Sequence, residues 1–150
     1  MDRIEQTLVL LKPDALQRSL IGDIISIFEK KGLKITGMKL MNLSKEKAEK
    51  NYEEHKGKEF YNELLDYITS SPVIAMVIEG RNAIAMVREI IGATDPLKAT
   101  PSTIRGKYGL SIQKNLVHGS ANLESAKREI KLFFKDDEII KYERIDEKWL

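Results

Sequence analysis

Two short runs, Thr7–Leu11 and Val73–Ile78, are apolar almost throughout, and they constrain the fold more than any other feature of the chain. Each has the length of a strand and closes in turn chemistry. Lys12-Pro13-Asp14 follows the first, with Pro13 pre-setting a helix start, and Gly80 ends the second. Such runs read as buried strands. Between them Ile21, Ile24, Ile25 and Phe28 recur at helical spacing until Gly32, and residues 33–40 then alternate apolar with polar or small residues, as a strand with one wet face does. Ser44 is placed to cap the next helix, and residues 45–69 carry two helical stretches broken near Gly57. Helical periodicity returns in Ala83, Ile84, Val87, Ile90 and Ile91, and again in Leu123, Ala126, Ile130 and Phe133.

Residues 92–117 hold no sustained period, and they contain Pro96, Pro101 and three glycines. A loop of that length in a compact domain is uncommon and usually functional. Strand and helix alternate without repeat or linker, so the class is α/β or α+β, one layer of sheet against helices, with strand order left open by periodicity. The 150 residues, 42% of them hydrophobic, suit one domain spanning 1–150.

Charge and composition exclude several functions. Lys and Arg number 25 against 23 Asp and Glu, a net charge of +2, far from the basic balance of a nucleic-acid binder. The absence of cysteine removes disulfides, thiolate nucleophiles and Cys-ligated zinc, and points to a reducing compartment, the cytoplasm. The N-terminus from Met1 has no apolar stretch like a secretion signal, and the longest strongly apolar run, 73–78, is too short to span a bilayer. Gly32 and Gly37 have the spacing of a phosphate loop, but Met38 and Lys39 follow where Lys and Ser or Thr belong, and no Gly-x-Gly-x-x-Gly occurs. With two histidines in the chain, a multi-histidine metal site cannot be built.

One of those histidines stands in Asn115-Leu116-Val117-His118-Gly119-Ser120, just before the last helix. A neutral imidazole has one lone pair for attack on phosphorus, and it becomes useful when an acceptor holds the other nitrogen's hydrogen. Glu129 is the candidate acceptor: on a helical wheel it falls roughly 40° outside the apolar arc, at about 100° per residue, where it can face a cleft. Taken alone, the pair also reads as a packed histidine and a solvated helix charge, which is the commoner case. Arg88 flanks the apolar stripe of its own helix, and Arg105, Thr94 and Lys12 fall in or beside turns. A lone arginine on a helix flank is usually solvated or ion-paired, but several cations with a hydroxyl suit a polyphosphate, because arginine forks match phosphate oxygens. Tyr52, His55 and Phe60 cluster at the helical break, either packing a hairpin or stacking on a base.

Taken together these residues resemble the nucleoside diphosphate kinase family from Thr7 to about Phe134. Leu11-Lys12-Pro13-Asp14 is similar to that family's first-strand exit. Ala93-Thr94-Asp95-Pro96 and Thr103-Ile104-Arg105-Gly106 resemble its long loop, and Asn115-x-x-His118-Gly119-Ser120 its signature around the phosphorylated histidine. The resemblance implies a ferredoxin-like α/β sandwich, with a four-stranded antiparallel sheet and helices packed on one face. It implies ping-pong transfer of a terminal phosphate from a nucleoside triphosphate to a nucleoside diphosphate through His118, with Mg²⁺ carried on the nucleotide's phosphates and no direct protein ligand. In that pattern Lys12, Tyr52, Arg88, Thr94 and Arg105 hold phosphates, and Lys12 and Asn115 hold sugar hydroxyls. Phe60 and Ile112 sandwich the base, Ser120 and Glu129 assist the histidine, and base tolerance is broad. The assembly implied is a homohexamer or, less often, a homotetramer.

The chain departs from the pattern at Ala121, where the signature ordinarily has Asp, and at Ala15, Ser102 and Lys107, where Gly, Gly and Asp are commonest. Ala121 and the altered loop motivate an alternative, a nucleotide-binding regulatory protein of the same fold with weakened catalysis. A nucleic-acid-binding module on a similar sheet is disfavoured by the near-neutral charge.

Overall fold

The computed structural model describes residues 3–150; Met1 and Asp2, where the reading of the N-terminus begins, lie outside the described residues. Among the described residues, strands β1 (Ile4–Leu11), β2 (Lys34–Met41), β3 (Val73–Arg81) and β4 (Val117–Gly119) form one sheet in the order β2-β3-β1-β4, antiparallel at every pairing. The two apolar runs are thus the two central strands, hydrogen-bonded to each other from Ile4↔Arg81 to Leu11↔Ile74. Gly80 does not end β3. It pairs with Glu5, and the strand continues to Arg81, because the ladder to β1 outlasts the apolar run.

The helices are α1 (Pro13–Gln17), α2 (Ile21–Lys30), α3 (Lys45–Asn51), α4 (Tyr61–Ile68), α5 (Ala83–Ile91), α6 (Ile104–Tyr108) and α7 (Leu123–Phe133). Local chemistry accounts for several boundaries. Pro13 opens α1, the Ser44 hydroxyl accepts from Lys47 N at 3.1 Å to start α3, and Asn122 Oδ1 accepts from Ser125 N at 2.8 Å to start α7. Gly57, at φ +88°, breaks the 45–69 region as its sequence suggests.

The expectation that helices cover one face needs correction. Val9, Leu11, Ile74, Met76 and Ile78 pack against α2 and α5, the two helices a ferredoxin-like frame supplies. Leu8, Leu10, Val73, Ala75 and Val77 point the other way and are covered by α3, α4 and α7. The reason lies in the strands themselves. Successive side chains point to opposite faces, so a strand apolar at nearly every position needs cover on both. Burying each leucine-sized side chain is worth roughly 1.5–3 kcal/mol, enough to make an uncovered second face untenable.

The C-terminal segment turns back over the start of β2. Ile140 N donates to Thr36 O at 2.8 Å, Tyr142 Oη to Ile35 O, and Lys34 Nζ lies 3.2 Å from Glu79 and 2.6 Å from Glu147. The edge of the sheet that it covers is the one opposite β4.

Candidate active site

His118 occupies the middle of β4, and its register decides which way it points. It pairs with Leu10 of β1, whose side chain lies on the α3, α4 and α7 face, so the imidazole emerges on that face too. Its neighbours Val117 and Gly119 face the other side. A Cβ at Gly119 would come within 2.9 Å of Ile91 and 3.1 Å of Val87, so glycine there lets α5 approach β4 closely. The chain enters β4 through a γ-turn: Val117 N donates to Asn115 O at 2.9 Å, with Leu116 between them at φ +77°. A leucine held in that region costs on the order of 1–3 kcal/mol, and it persists only where its surroundings over-determine it.

Glu129 sits two turns into α7 and is 4% exposed. Its Oε1 lies 2.7 Å from His118 Nε2 and 2.9 Å from Ser120 Oγ. Burial by itself would raise the carboxyl's pKa. The hydrogen bonds from His118 and Ser120, with the Arg128 guanidinium, overcome it and hold the group below the usual range. An ionised carboxylate only accepts, so Nε2 carries the ring hydrogen and Nδ1 keeps the free lone pair. Ser120 is itself fixed, its hydroxyl accepting from Leu8 N at 3.3 Å across the β1–β4 pair.

A cavity of about 720 Å³ opens over His118, within the range of small-molecule sites. Lys12, Tyr52, Phe60, Arg88, Thr94, Arg105, Ile112, Asn115, His118 and Glu129 all line it, as do Ala121 and His55. Residues from the β1 exit, the α3–α4 connection, α5, the long loop, β4 and α7 therefore converge. Ser120 lies behind, its hydroxyl donating to Glu129 Oε1.

The long loop is not structureless. It contains α6, capped by the Thr103 hydroxyl accepting from Gly106 N at 3.0 Å, a helix of five residues and so too short to declare a period. Arg105 of α6 ties the loop together, with Nη2 donating to Val117 O at 2.6 Å and Nη1 to Gly92 O at 3.1 Å. Gly92 ends α5 at φ +92°, and a Cβ there would strike Thr103 at 2.4 Å. The Asn115 amide bridges the loop's two arms, donating to Thr94 O at 2.9 Å and to Ile112 O at 2.8 Å. Its Oδ1 accepts from Lys12 Nζ at 2.8 Å and retains a second lone pair.

Electrostatically the floor of the cavity is cationic. Lys12 is buried, and burial together with the nearby Arg105 lowers its pKa to about 7, against a smaller upward pull from Asp14. Burial and Arg88 lower Arg105 to about 10, so it stays charged at neutral pH. Burial, with Glu129 nearby, moves the Tyr52 phenol up, so it keeps its hydrogen and can donate. Its ring meets the His118 ring edge-on, with centroids 6.4 Å apart. At the mouth, Phe60 and Ile112 are exposed, and His55 lies against Phe60 at 5.4 Å between centroids. Sequence reasoning named Asp14 only as part of a motif and did not single out Tyr67. Tyr67 Oη donates to Asp14, whose other oxygen accepts from Leu116 N at 3.2 Å. No periodicity announces such a link.

Comparison with known proteins places this geometry. The nucleoside diphosphate kinase family profile matches residues 5–139. The chain is 54% identical over 147 residues to the nucleoside diphosphate kinase of Carboxydothermus hydrogenoformans, covering 98% of this chain and 99% of that one. It is 58% identical over 145 residues to the enzyme of Pyrococcus furiosus, covering 95% and 90%. Among solved structures, the nucleoside diphosphate kinase of Halobacterium salinarum in complex with CDP superposes with a TM-score of 0.96 at 47% identity, covering 98% of each chain. With the profile spanning most of the chain and relatives more than half identical nearly end to end, this chain belongs to the nucleoside diphosphate kinase family.

Proposed function

We propose that His118 Nδ1 is the phosphoryl carrier of this nucleoside diphosphate kinase. The observation that carries the reading is the hydrogen bond from Nε2 to Glu129, which leaves Nδ1 as the ring's nucleophile at the floor of a cationic cavity. In the first half-reaction the Nδ1 lone pair attacks the γ-phosphorus, the bond to the β-phosphate oxygen breaks, and the diphosphate leaves. The Nε2 hydrogen stays in place, and the Glu129 carboxylate balances the positive charge that builds on the ring. In the second, a different nucleoside diphosphate supplies the attacking oxygen and the N–P bond breaks. Catalysis of this kind is mostly positioning and charge stabilisation.

Lys12, Arg88 and Arg105 are the groups for phosphate oxygens, joined by the Tyr52 and Thr94 hydroxyls. Lys12 and the second lone pair of Asn115 Oδ1 take the sugar hydroxyls, and Phe60 and Ile112 take the base. Family activity needs a divalent cation, and we assign Mg²⁺. The donor set fits a cation that arrives on the phosphates: among the described residues no group of three His, Cys, Asp or Glu side chains is arranged to hold a metal, and Glu129 is committed to His118 and Ser120. Carried on the nucleotide, such a cation would offset phosphate charge alongside Lys12, Arg88 and Arg105. Nothing in the site favours a regulatory protein stripped of its chemistry.

The assembly we assign is a homohexamer, with a homotetramer as its alternative; exposed Met38 and Leu40 on the outer strand β2, and Leu97 in the long loop, support association. No described helix is long and apolar enough to cross a membrane, and the absence of cysteine supports a cytoplasmic setting. Incubation with γ-labelled ATP, removal of nucleotide and addition of GDP tests the function. Label should move to protein and then to GTP. Transfer that requires both nucleotides at once would overturn the ping-pong scheme.

A further inference from the structure

We propose that Asp14 and Tyr67 are positioning residues for phosphoryl transfer, acting through the γ-turn at Leu116 that separates Asn115 from His118. The inference rests on the reading of His118 as phosphoryl carrier.

Neither residue lines the cavity, so neither can touch a nucleotide there. Both hold the piece of backbone on which two lining residues depend. Leu116 is fully buried at φ +77°, a conformation leucine does not choose for itself. Its carbonyl accepts from Lys12 N at 2.8 Å, and its N–H donates to Asp14 Oδ2 at 3.2 Å. The turn is therefore clamped from both sides by the 12–14 segment. Releasing the Asp14 side would let the 115–116 peptide rotate, which re-aims Asn115 on one side and His118 on the other. The Asn115 contact with Lys12 Nζ would move with it.

The second oxygen of Asp14 accepts from Tyr67 Oη, on the helix that follows Phe60. Burial, reinforced by that hydrogen bond, keeps the phenol protonated and so a permanent donor. One side chain thus accepts from two donors on two different elements. A carboxylate can do this; an amide would turn an N–H toward one of the donors. Tyr67 fixes the rotation of the carboxylate, and the carboxylate fixes the turn.

The test uses the full chain as Tyr67→Phe, Asp14→Asn and the double variant. Three quantities are measured: the single-turnover rate of His118 phosphorylation by ATP with Mg²⁺, the dissociation constant for ADP, and the Leu116 amide resonance. Phosphorylation should slow by roughly tenfold in Tyr67→Phe and about a hundredfold in Asp14→Asn, the scale of an ångström-level misplacement. ADP affinity should fall by less than the rate, because Asn115 is re-aimed while Arg88 and the base platform are untouched. The double variant should be no slower than Asp14→Asn, since the two residues act in series, and the Leu116 amide should shift in each. Should Asp14→Asn fail to fold, Tyr67→Phe and its amide shift carry the test. Wild-type rates in the folded variants, rate losses that merely track the folded fraction, or losses that multiply independently would overturn the inference. If the wild-type protein takes no phosphate on His118, the carrier reading falls first and this one with it.

Discussion

At the deep end of the cavity Lys12, Asn115 and Glu129 are buried, and each is hydrogen-bonded to a side chain on another element, whereas at the mouth Phe60 and Ile112 stand 46% and 61% exposed. The deep groups are aimed before any nucleotide arrives, so little reorganisation is needed when charge moves. The mouth offers an aromatic face and an aliphatic side chain. Stacking between such surfaces reads no donor or acceptor pattern, because every base has a π-face. On the proposed assignment, the contrast would make the site exacting about phosphorus and indifferent to the base. It also says where substitutions should hurt the rate and where they should hurt only binding.

The largest effect should come at the deep end. His118→Asn should abolish transfer while circular dichroism stays that of the parent, because the other histidine, His55, has only the exposed Glu54 at 3.7 Å where His118 has the buried Glu129 at 2.7 Å; full turnover in that variant would dissolve the contrast. Glu129→Ala comes next. A hydrogen bond to a charged group is worth about 1.5–3 kcal/mol, so kcat should fall roughly tenfold to a hundredfold with nucleotide affinity little changed. A loss confined to KM would place Glu129 in binding instead.

At the mouth, Phe60→Ala should weaken binding by about 1–3 kcal/mol for purine and pyrimidine diphosphates alike. Titrations in which one base loses far more than the others would show that the platform is selective after all.

Lys12 belongs to the deep end, and its titration sharpens the comparison. With a free-state pKa of about 7, it is largely neutral at pH 8, and a bound polyphosphate favours the charged form. Affinity should be level below pH 7 and fall as pH rises from 7 toward the higher bound-state pKa, by up to about tenfold per pH unit. Calorimetry at pH 8 in buffers of different ionisation enthalpy should register proton uptake on binding. Its absence would mean that Lys12 does not meet the phosphates.

The smallest effect belongs to Ala121, which lines the cavity and has no polar side-chain atom to hold the nucleophile. Ala121→Asp should reach half-maximal rate at lower Mg²⁺, with plateau rates within a few-fold, as expected for a group that orients the metal's waters from beyond its direct ligands. Superimposable titrations would show that position 121 has no metal role.

These two regions also differ in how far the sequence discloses them. His118 and Glu129 could be paired from the signature and a helical wheel, because their chemistry is carried by residue identity and a regular helix. The central strands were legible in their apolar runs, and the boundary of α3 in Ser44. What connects them was not. β4 is three residues long and α6 five, below the length at which periodicity speaks, and the turn at Leu116 is set by partners in the 12–14 segment and not by leucine's own preference. The cover on the second face of the sheet was disclosed by the same apolar runs. Reading it requires treating both sides of the strand as in need of burial.

The most direct test of the account is the identity of the phosphorylated nitrogen. Protein labelled with ¹⁵N in its histidine rings, treated with ATP and Mg²⁺ and examined by ³¹P and ¹⁵N NMR, should carry its phosphate on Nδ1 of His118, with Nε2 still protonated against Glu129. Phosphate on Nε2, or on any residue other than His118, would contradict it.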